Sequence, residues 1–201
     1  ANVHGTTPFV WGVKPIIINE TGWVLFYAPP FGFAIFLGDD IFRSPEMSER
    51  GHLEANSWFM AGHRDAGASL ITPWHHHFSG AIAHTLPPED VFPFTRHTRW
   101  YGGTAVDWEV DVFHDNGINE TLRFAWTLQD TRGRPIRRGG ARLQLEGYDL
   151  SRQRVAFKVP SASSDRDAKL VLELRDAGGG PRAQRSFAAR IAAPVRAARA
   201  V

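Results

Sequence analysis

Glu20 is the residue whose position most clearly suits it to chemistry, because it follows directly on an apolar run. Residues 13–19 include the three successive isoleucines Ile16–Ile18, which is typical of a parallel strand covered on both faces. In parallel α/β barrels the active site lies at the carboxyl ends of the strands, where a carboxylate can serve as nucleophile or as general acid/base. Position alone is equally compatible with an exposed glutamate at the start of a loop. The tetrapeptide Ile-Asn-Glu-Thr recurs at 118–121, where it merely follows a turn.

Three consecutive histidines, residues 75–77, follow Trp74 and raise the question of a metal site. If the preceding strand continues, His75 and His77 point the same way, and His63 or Asp65 could complete a set of ligands. The spacing matches no known zinc motif, so we predict no metal here. Histidines that line a pocket are the favoured interpretation, with a plain surface role as the alternative.

The elements that would position these residues form a βαβ unit. Leu53, Trp58 and Ala61 follow helical spacing between about Ser48 and Ala66, and Gly67 suits the end of that helix. Residues 68–74 then read as a second short buried strand. A single βαβ piece exposes both edges of its sheet and encloses no core. We therefore expect residues 1–85 to be the end of a larger α/β domain whose beginning lies outside this chain.

The pattern changes after a Pro- and Gly-rich stretch, residues 86–103, that we interpret as a linker. Residues 104–192 show period-two alternation, as in Val106, Trp108, Val110 and Val112, with turn residues about every ten positions. This pattern predicts an antiparallel β-sandwich of about seven strands, with Trp108 and other inward aromatics in its core. Residues 193–201 are expected to form a disordered tail.

Composition excludes several classes of function. The 201 residues contain no cysteine, which removes disulfides, thiolate metal sites and a cysteine nucleophile. Residues 101–201 carry 17 Lys and Arg against 12 Asp and Glu, but no basic block is interleaved with aromatics, so nucleic-acid binding is not expected. The apolar stretch 23–37 is interrupted by Pro29-Pro30 and is shorter than the ~20 residues of a spanning helix, so we predict no membrane span.

The segment Lys14-Pro15-Ile16-Ile17-Ile18-Asn19-Glu20-Thr21-Gly22-Trp23 resembles the nucleophile strand of clan A retaining glycoside hydrolases, above all family 2 and its relatives. The resemblance implies that Glu20 is the nucleophile at the end of the seventh strand of a (β/α)8 barrel. It also implies that Trp74 ends the eighth strand as the sugar platform, and that Asn19, Trp23, His75 and His77 contact the substrate.

An alternative role for Glu20 is the acid/base, because Asn19 satisfies the Asn that precedes that residue in the clan. The preceding Lys14-Pro15, and the single strand that follows before the linker, favour the nucleophile. The acid/base is then expected upstream of this chain. Asp39, Asp40 and Glu54 are the other acidic candidates, but a polar loop and a solvated helix face account for them better.

The second half, with Trp108–Asn116 and Glu120–Leu122, resembles the immunoglobulin-like sandwich that flanks such barrels. The fold class expected is therefore α+β in two parts, a terminal βαβ piece of a (β/α)8 barrel followed by an immunoglobulin-like sandwich. The resemblance implies hydrolysis of β-linked glycosides without a metal or organic cofactor. It also implies that the remaining barrel segment is supplied in cis or by a partner chain, and a periplasmic, secreted or surface location in a bacterium. A non-catalytic carbohydrate-binding or adhesion module is the alternative function.

Overall fold

A computed structural model describes residues 17–21, 38–73, 86–95 and 97–193 of the chain, with the backbone alone at 18–21, 70 and 72–73. The chain divides into two compact units, Ala1–Pro87 and Pro88–Val201. No helix in the described ranges is long and apolar enough to span a bilayer.

The first unit contains the βαβ arrangement predicted from the sequence. Strand β1 spans Ile17–Thr21, a short 3-10 helix spans Gly38–Phe42, helix α1 spans Pro45–Asp65, and strand β2 spans Leu70–Pro73. Strands β1 and β2 pair in parallel. Helix α1 begins earlier than its apolar spacing indicates, because the Ser44 hydroxyl caps the Met47 N–H and Pro45 occupies the first turn.

The second unit is a sandwich of two sheets, both built mainly from antiparallel pairs. A five-stranded sheet has the order β4-β10-β9-β6-β7, and a three-stranded sheet has the order β3-β5-β8. The strands are β3 Glu89–Pro93, β4 Arg99–Tyr101, β5 Ala105–His114, β6 Glu120–Asp130, β7 Pro135–Leu145, β8 Asp149–Lys158, β9 Arg166–Asp176 and β10 Pro181–Ala192.

Both sheets contribute to one hydrophobic core, as the alternating pattern predicts. Trp108 and Val110 come from the three-stranded sheet, and Phe124, Trp126 and Leu172 come from the five-stranded sheet. All five are buried. Trp126 lies 5.3 Å from the Phe157 ring across the core, centroid to centroid. These aromatics therefore hold the two sheets together.

Residues 86–103, interpreted from the sequence as a linker, contain two strands of the sandwich. Strand β3 pairs antiparallel with β5, and β4 pairs in parallel with β10. Prolines suggested irregular chain, but Pro93 lies in β3, an edge strand of the three-stranded sheet, and proline is tolerated in edge strands. The Pro- and Gly-rich composition thus marks strand ends within the second unit.

Strand β7 is the outermost strand of the five-stranded sheet and differs from its neighbours in composition. Residues 137–142 of β7 are exposed, and three of them are arginines. Its inner side is closely matched to β6, because a Cβ at Gly139 would lie 2.6 Å from the Trp126 ring and a Cβ at Gly140 would lie 2.2 Å from the Phe124 carbonyl oxygen. A larger residue at Gly139 or Gly140 would therefore clash with β6, the strand with which β7 pairs.

Candidate functional site

The carboxyl ends of β1 and β2 form the first candidate site. In the parallel register Ile17 pairs with Leu70 and Thr21 pairs with Pro73. The Glu20 backbone lies one residue before the end of β1, and in the sequence Trp74 follows the last residue of β2. The two strand ends thus lie at one edge of the sheet, which is where parallel α/β proteins build their sites.

Most of the predicted site lies beyond what the structure describes. Trp23, Trp74, His75 and His77 are outside the described residues, and Asn19 and Glu20 are described by backbone alone. The roles assigned to these residues therefore remain predictions.

Two of the other acidic candidates of the first unit, Asp40 and Glu54, have neighbours that account for them. Asp40 forms an exposed ion pair with Arg43 at 2.9 Å. The Glu54 carboxylate accepts a hydrogen bond from the Trp58 indole N–H at 3.2 Å, one turn along α1. Both arrangements fit the structural interpretation, a polar loop and a helix face.

His63, which was considered as a metal ligand, lies on α1. Burial lowers the pKa of His63, whose ring lies edge-on to Phe59 at 5.3 Å.

A second group of polar side chains lies where the sandwich connects its two sheets. Glu89 opens β3, His114 ends β5, Glu120 opens β6, Asn116 lies in the β5–β6 connection, and Arg182 lies near the start of β10. Strand register brings Glu89 opposite His114. We call these five residues the β5–β6 polar cluster. Glu89 is 7% exposed and His114 is fully buried.

Hydrogen bonds fix the orientation of each group in the cluster. The Asn116 amide Nδ2 donates to Glu89 Oε1 at 2.6 Å and to Glu120 Oε1 at 2.7 Å. The Asn116 Oδ1 accepts from the Ile118 N–H at 3.0 Å, which settles which end of the amide faces the carboxylates. Arg182 Nη2 donates to both oxygens of Glu120 at 2.6 Å.

The cluster keeps Glu120 ionised although it is partly enclosed. Burial alone would raise the pKa of Glu120, but hydrogen bonds from Asn116 and Arg182, with the charge of Arg182, outweigh burial and hold that pKa below its ordinary value. Arg182 is 3.8 Å from Glu89 Oε1. The carboxylates of Glu89 and Glu120 therefore share the Arg182 guanidinium in a partly buried site.

Sequence reasoning missed this cluster for identifiable reasons. Glu120 belongs to the second Ile-Asn-Glu-Thr, which was set aside because it follows a turn, and Glu89 lies in the stretch interpreted as linker. One signal was present at the end of β5, where His114 continues the buried run Val112-Phe113. A histidine inside a fully buried run needs polar partners, and those partners come from distant strands.

Comparisons with known proteins give partial structural likenesses. No family model matches the chain, and no curated protein matches it. A glycosyl hydrolase family 2 member from Bacteroides cellulosilyticus has a TM-score of 0.38 at 11% identity over 50% of this chain and 15% of its own. A β-glucosidase from Listeria innocua, solved with glucose, has a TM-score of 0.42 at 10% identity over 54% and 16%.

A third solved structure is of another kind. A CARDB domain from Pyrococcus furiosus, in complex with di-metal ions, has a TM-score of 0.36 at 7% identity over 52% of this chain and 89% of its own. The chain thus spans about one sixth of the two hydrolases and most of the CARDB domain. Likenesses of this strength assign no function to the chain.

Proposed function

We propose that the chain is the carboxyl-terminal part of a retaining β-glycoside hydrolase of clan A, with Glu20 as the nucleophile. The observation that carries the proposal is the βαβ unit, whose parallel pairing brings the end of β1, with Glu20, and the end of β2 to one edge. The segment 14–23 adds its resemblance to the nucleophile strand of that clan.

In the proposed mechanism Glu20 attacks the anomeric carbon of a β-linked sugar and forms a glycosyl-enzyme, which water then hydrolyses. Retaining hydrolysis needs a second carboxyl group about 5–5.5 Å away to protonate the departing oxygen. We propose that this acid/base comes from outside the 201 residues, and that the rest of the barrel is supplied in cis or by a partner chain.

The proposed roles of the other residues follow from the same edge. Trp74 stacks on the apolar face of the sugar, since an aromatic ring buries that face while the hydroxyls keep their hydrogen bonds. Asn19, Trp23, His75 and His77 contact the hydroxyls or line the pocket. The substrate is a β-linked oligosaccharide or glycoside, no metal or organic cofactor takes part in the hydrolysis, and the location is the periplasm, exterior or surface of a bacterium.

The sandwich is proposed to brace the barrel as an immunoglobulin-like domain, without contributing catalytic groups. A binding or adhesion role would favour aromatic side chains turned outward. Trp108, Phe124 and Trp126 are buried instead, so these three rings offer no stacking surface. The exposed aromatics of the sandwich, Phe94, Tyr101 and Tyr148, are the side chains on which a carbohydrate-binding role would have to rest.

The experiment uses the native polypeptide purified from its source, with Glu20→Ala and, as a matched control, Glu49→Ala. Glu49 is an exposed carboxylate on α1 of the same unit. Loss of a covalent nucleophile is expected to lower kcat by roughly 10⁴-fold or more, whereas the control keeps full activity. A Glu20→Ala enzyme with undiminished kcat would contradict the proposal.

Azide then separates the two possible roles of Glu20, measured on an aryl β-glycoside with a good leaving group. Azide entering the space of a missing nucleophile attacks from the α face and yields an α-glycosyl azide. Azide replacing a missing acid/base attacks the glycosyl-enzyme from the β face and yields a β-glycosyl azide. We expect the α product by NMR, and the β product would transfer Glu20 to the acid/base role.

A further inference from the structure

One hydrogen bond fixes the tautomer of the neutral His114 ring. His114 Nε2 lies 2.7 Å from the Ile118 carbonyl oxygen. A carbonyl oxygen only accepts, so Nε2 carries the proton. In the neutral ring Nδ1 then presents a lone pair. A backbone carbonyl that holds the second nitrogen of a histidine in this way is the usual partner of a metal-ligating imidazole.

That lone pair faces two carboxylate oxygens. His114 Nδ1 is 3.9 Å from Glu89 Oε1 and 3.9 Å from Glu120 Oε1. The nitrogen is buried and has no hydrogen-bond partner among the described residues. The three acceptor atoms lie within 4.8 Å of one another. Hydrogen bonds from Asn116 and Arg182 reach only the carboxylate oxygens, so the His114 lone pair faces these oxygens with no positive centre of its own.

The charged groups around these atoms have a net negative charge, which a bound cation would balance. Glu89 and Glu120 carry two negative charges against the single positive charge of Arg182. Asn116 donates to the same oxygens and orients them, but its amide adds no charge. A buried site with a net negative charge and an unpartnered nitrogen has the donor set of a cation site.

We propose that Glu89, His114 and Glu120 bind one divalent transition-metal ion, with Zn²⁺ as the preferred ion. His114 Nδ1 lies 3.9 Å from each carboxylate oxygen, and the three atoms lie within 4.8 Å of one another, so small side-chain shifts would bring all three to the zinc–ligand distance of about 2.0–2.2 Å. An imidazole nitrogen favours Zn²⁺ over Mg²⁺ and Ca²⁺, which prefer oxygen ligands alone.

The ion would link the two sheets of the sandwich. Glu89 and His114 belong to the three-stranded sheet, and Glu120 belongs to the five-stranded sheet. Asn116 and Arg182 become positioning residues that hold the carboxylates toward the ion. The metal site is independent of the proposed hydrolase chemistry and lies in the other unit of the chain.

The test titrates Zn²⁺ into chelator-treated full-length chain by calorimetry. All proteins carry His75→Ala, His76→Ala and His77→Ala, so that the consecutive histidines do not bind the added metal. The variants are Glu120→Gln and His114→Gln, and the matched control is Glu109→Gln, an exposed carboxylate on β5.

We expect one Zn²⁺ per chain, with affinity lowered at least about 100-fold in both variants and unchanged in the control. Loss of an orienting neighbour typically costs 10–100-fold, so Asn116→Ala should fall in that range. A hundredfold excess of Zn²⁺ over Kd should raise the melting temperature of the sandwich by about 12 °C.

Three outcomes would overturn the proposal. These are no Zn²⁺ binding to the folded chain, binding that survives both variants, or binding of Ca²⁺ or Mg²⁺ as tight as that of Zn²⁺. If the variants unfold, nitrogen-15 NMR of the His114 ring decides the question. Zn²⁺ should move the Nδ1 signal while Nε2 stays protonated, whereas a ring protonated on both nitrogens and unmoved by Zn²⁺ would refute the site.

Discussion

Helix α1 and the sandwich differ in how far along the chain their stabilising contacts reach. In α1 the defining contacts are local, as in the Ser44 cap on Met47 and the Trp58–Glu54 hydrogen bond. In the sandwich the polar contacts join distant strands, as in Arg185 with Asp90. Local contacts can be inferred from neighbouring residues, whereas distant ones depend on strand pairing. The following predictions test that contrast by changing one kind of contact at a time.

The largest effect is expected from Asp90→Ala in the sandwich. Arg185 donates to both Asp90 oxygens, at 2.8 and 2.6 Å, and its guanidinium lies 4.5 Å from the Phe92 ring centroid. Removing one partner of a buried pair leaves an uncompensated charge, so the free energy of unfolding should fall by about 3–5 kcal/mol. Hydrogen exchange in urea, followed on peptides from β6 and α1, should show the loss in β6.

The control for Asp90→Ala is Asp107→Ala, which removes an exposed partner of Arg154. Exposed pairs contribute little, so this variant should unfold close to the unsubstituted protein. Equal destabilisation by the two variants would contradict the distinction between buried and exposed pairs.

A backbone contact comes next, with Gly140→Ala in β7. The added Cβ would meet the Phe124 carbonyl oxygen at 2.2 Å, so β7 must shift away from β6. Forcing a group into a packed site costs about 1–3 kcal/mol. Urea unfolding measured by exchange in β6 gives the value. Gly178→Ala, where the nearest atom is a side-chain oxygen of Asp176 at 3.3 Å, should be better tolerated, and a reversed order would refute the argument.

A smaller and local effect is expected from Ser44→Ala in the first unit. Loss of an N-cap typically costs about 1 kcal/mol. Exchange should accelerate in the first turns of α1 and stay unchanged in β6. Ser44→Asp, which keeps a capping acceptor, should restore protection. Faster exchange in the sandwich peptides would show that this contact is not local.

As the pH is lowered, helix α1 should lose stability before the β6–β7 turn of the sandwich does. Burial lowers the pKa of His63 and His52 in the folded protein. Below pH 6.5, the ordinary pKa of histidine, the unfolded chain therefore binds more protons than the folded one. Their contribution is complete above pH 6.5 and is lost as the pH falls through the folded pKa. Asp130 accepts backbone hydrogen bonds from Arg134 and Arg132, which hold its pKa below 3.8, so its turn should change only below that pH.

Amide NMR during acid titration checks this order. His63→Gln should reduce the response of α1 as the pH falls below 6.5, whereas His97→Gln, an exposed control in the sandwich, should not. A β6–β7 turn that responds before α1 would contradict the assignment.

The extent of successful prediction follows the same division. Helix α1 and the alternating strand β6 were predicted because each carries its pattern within a few residues. Strands β3 and β4 were not, since prolines and glycines obscured pairings with β5 and β10. Strand β7 begins at Pro135, and exposed arginines and glycines replace alternation in its first half, so no period-two pattern marks that part of the strand.

The candidate sites show this limit most clearly. Glu20 could be singled out from the apolar run before it. Glu120 has the same local tetrapeptide, and only the pairing of β3 with β5, together with the crossing to β6, brings it to Glu89 and His114. The cluster spans 93 positions of the chain, from Glu89 to Arg182, and no local pattern connects its two ends.

The exposed arginines of β7 have a consequence for the behaviour of the chain in concentrated solution. An outermost strand offers free N–H and C=O groups that can pair with a strand of another molecule and seed fibrous aggregates. Arg137, Arg138 and Arg142 lie along this edge. A second copy that approached β7 to β7 would bring like charges together, so this edge resists self-association. The glycines of the same strand allow β7 to pair closely with β6.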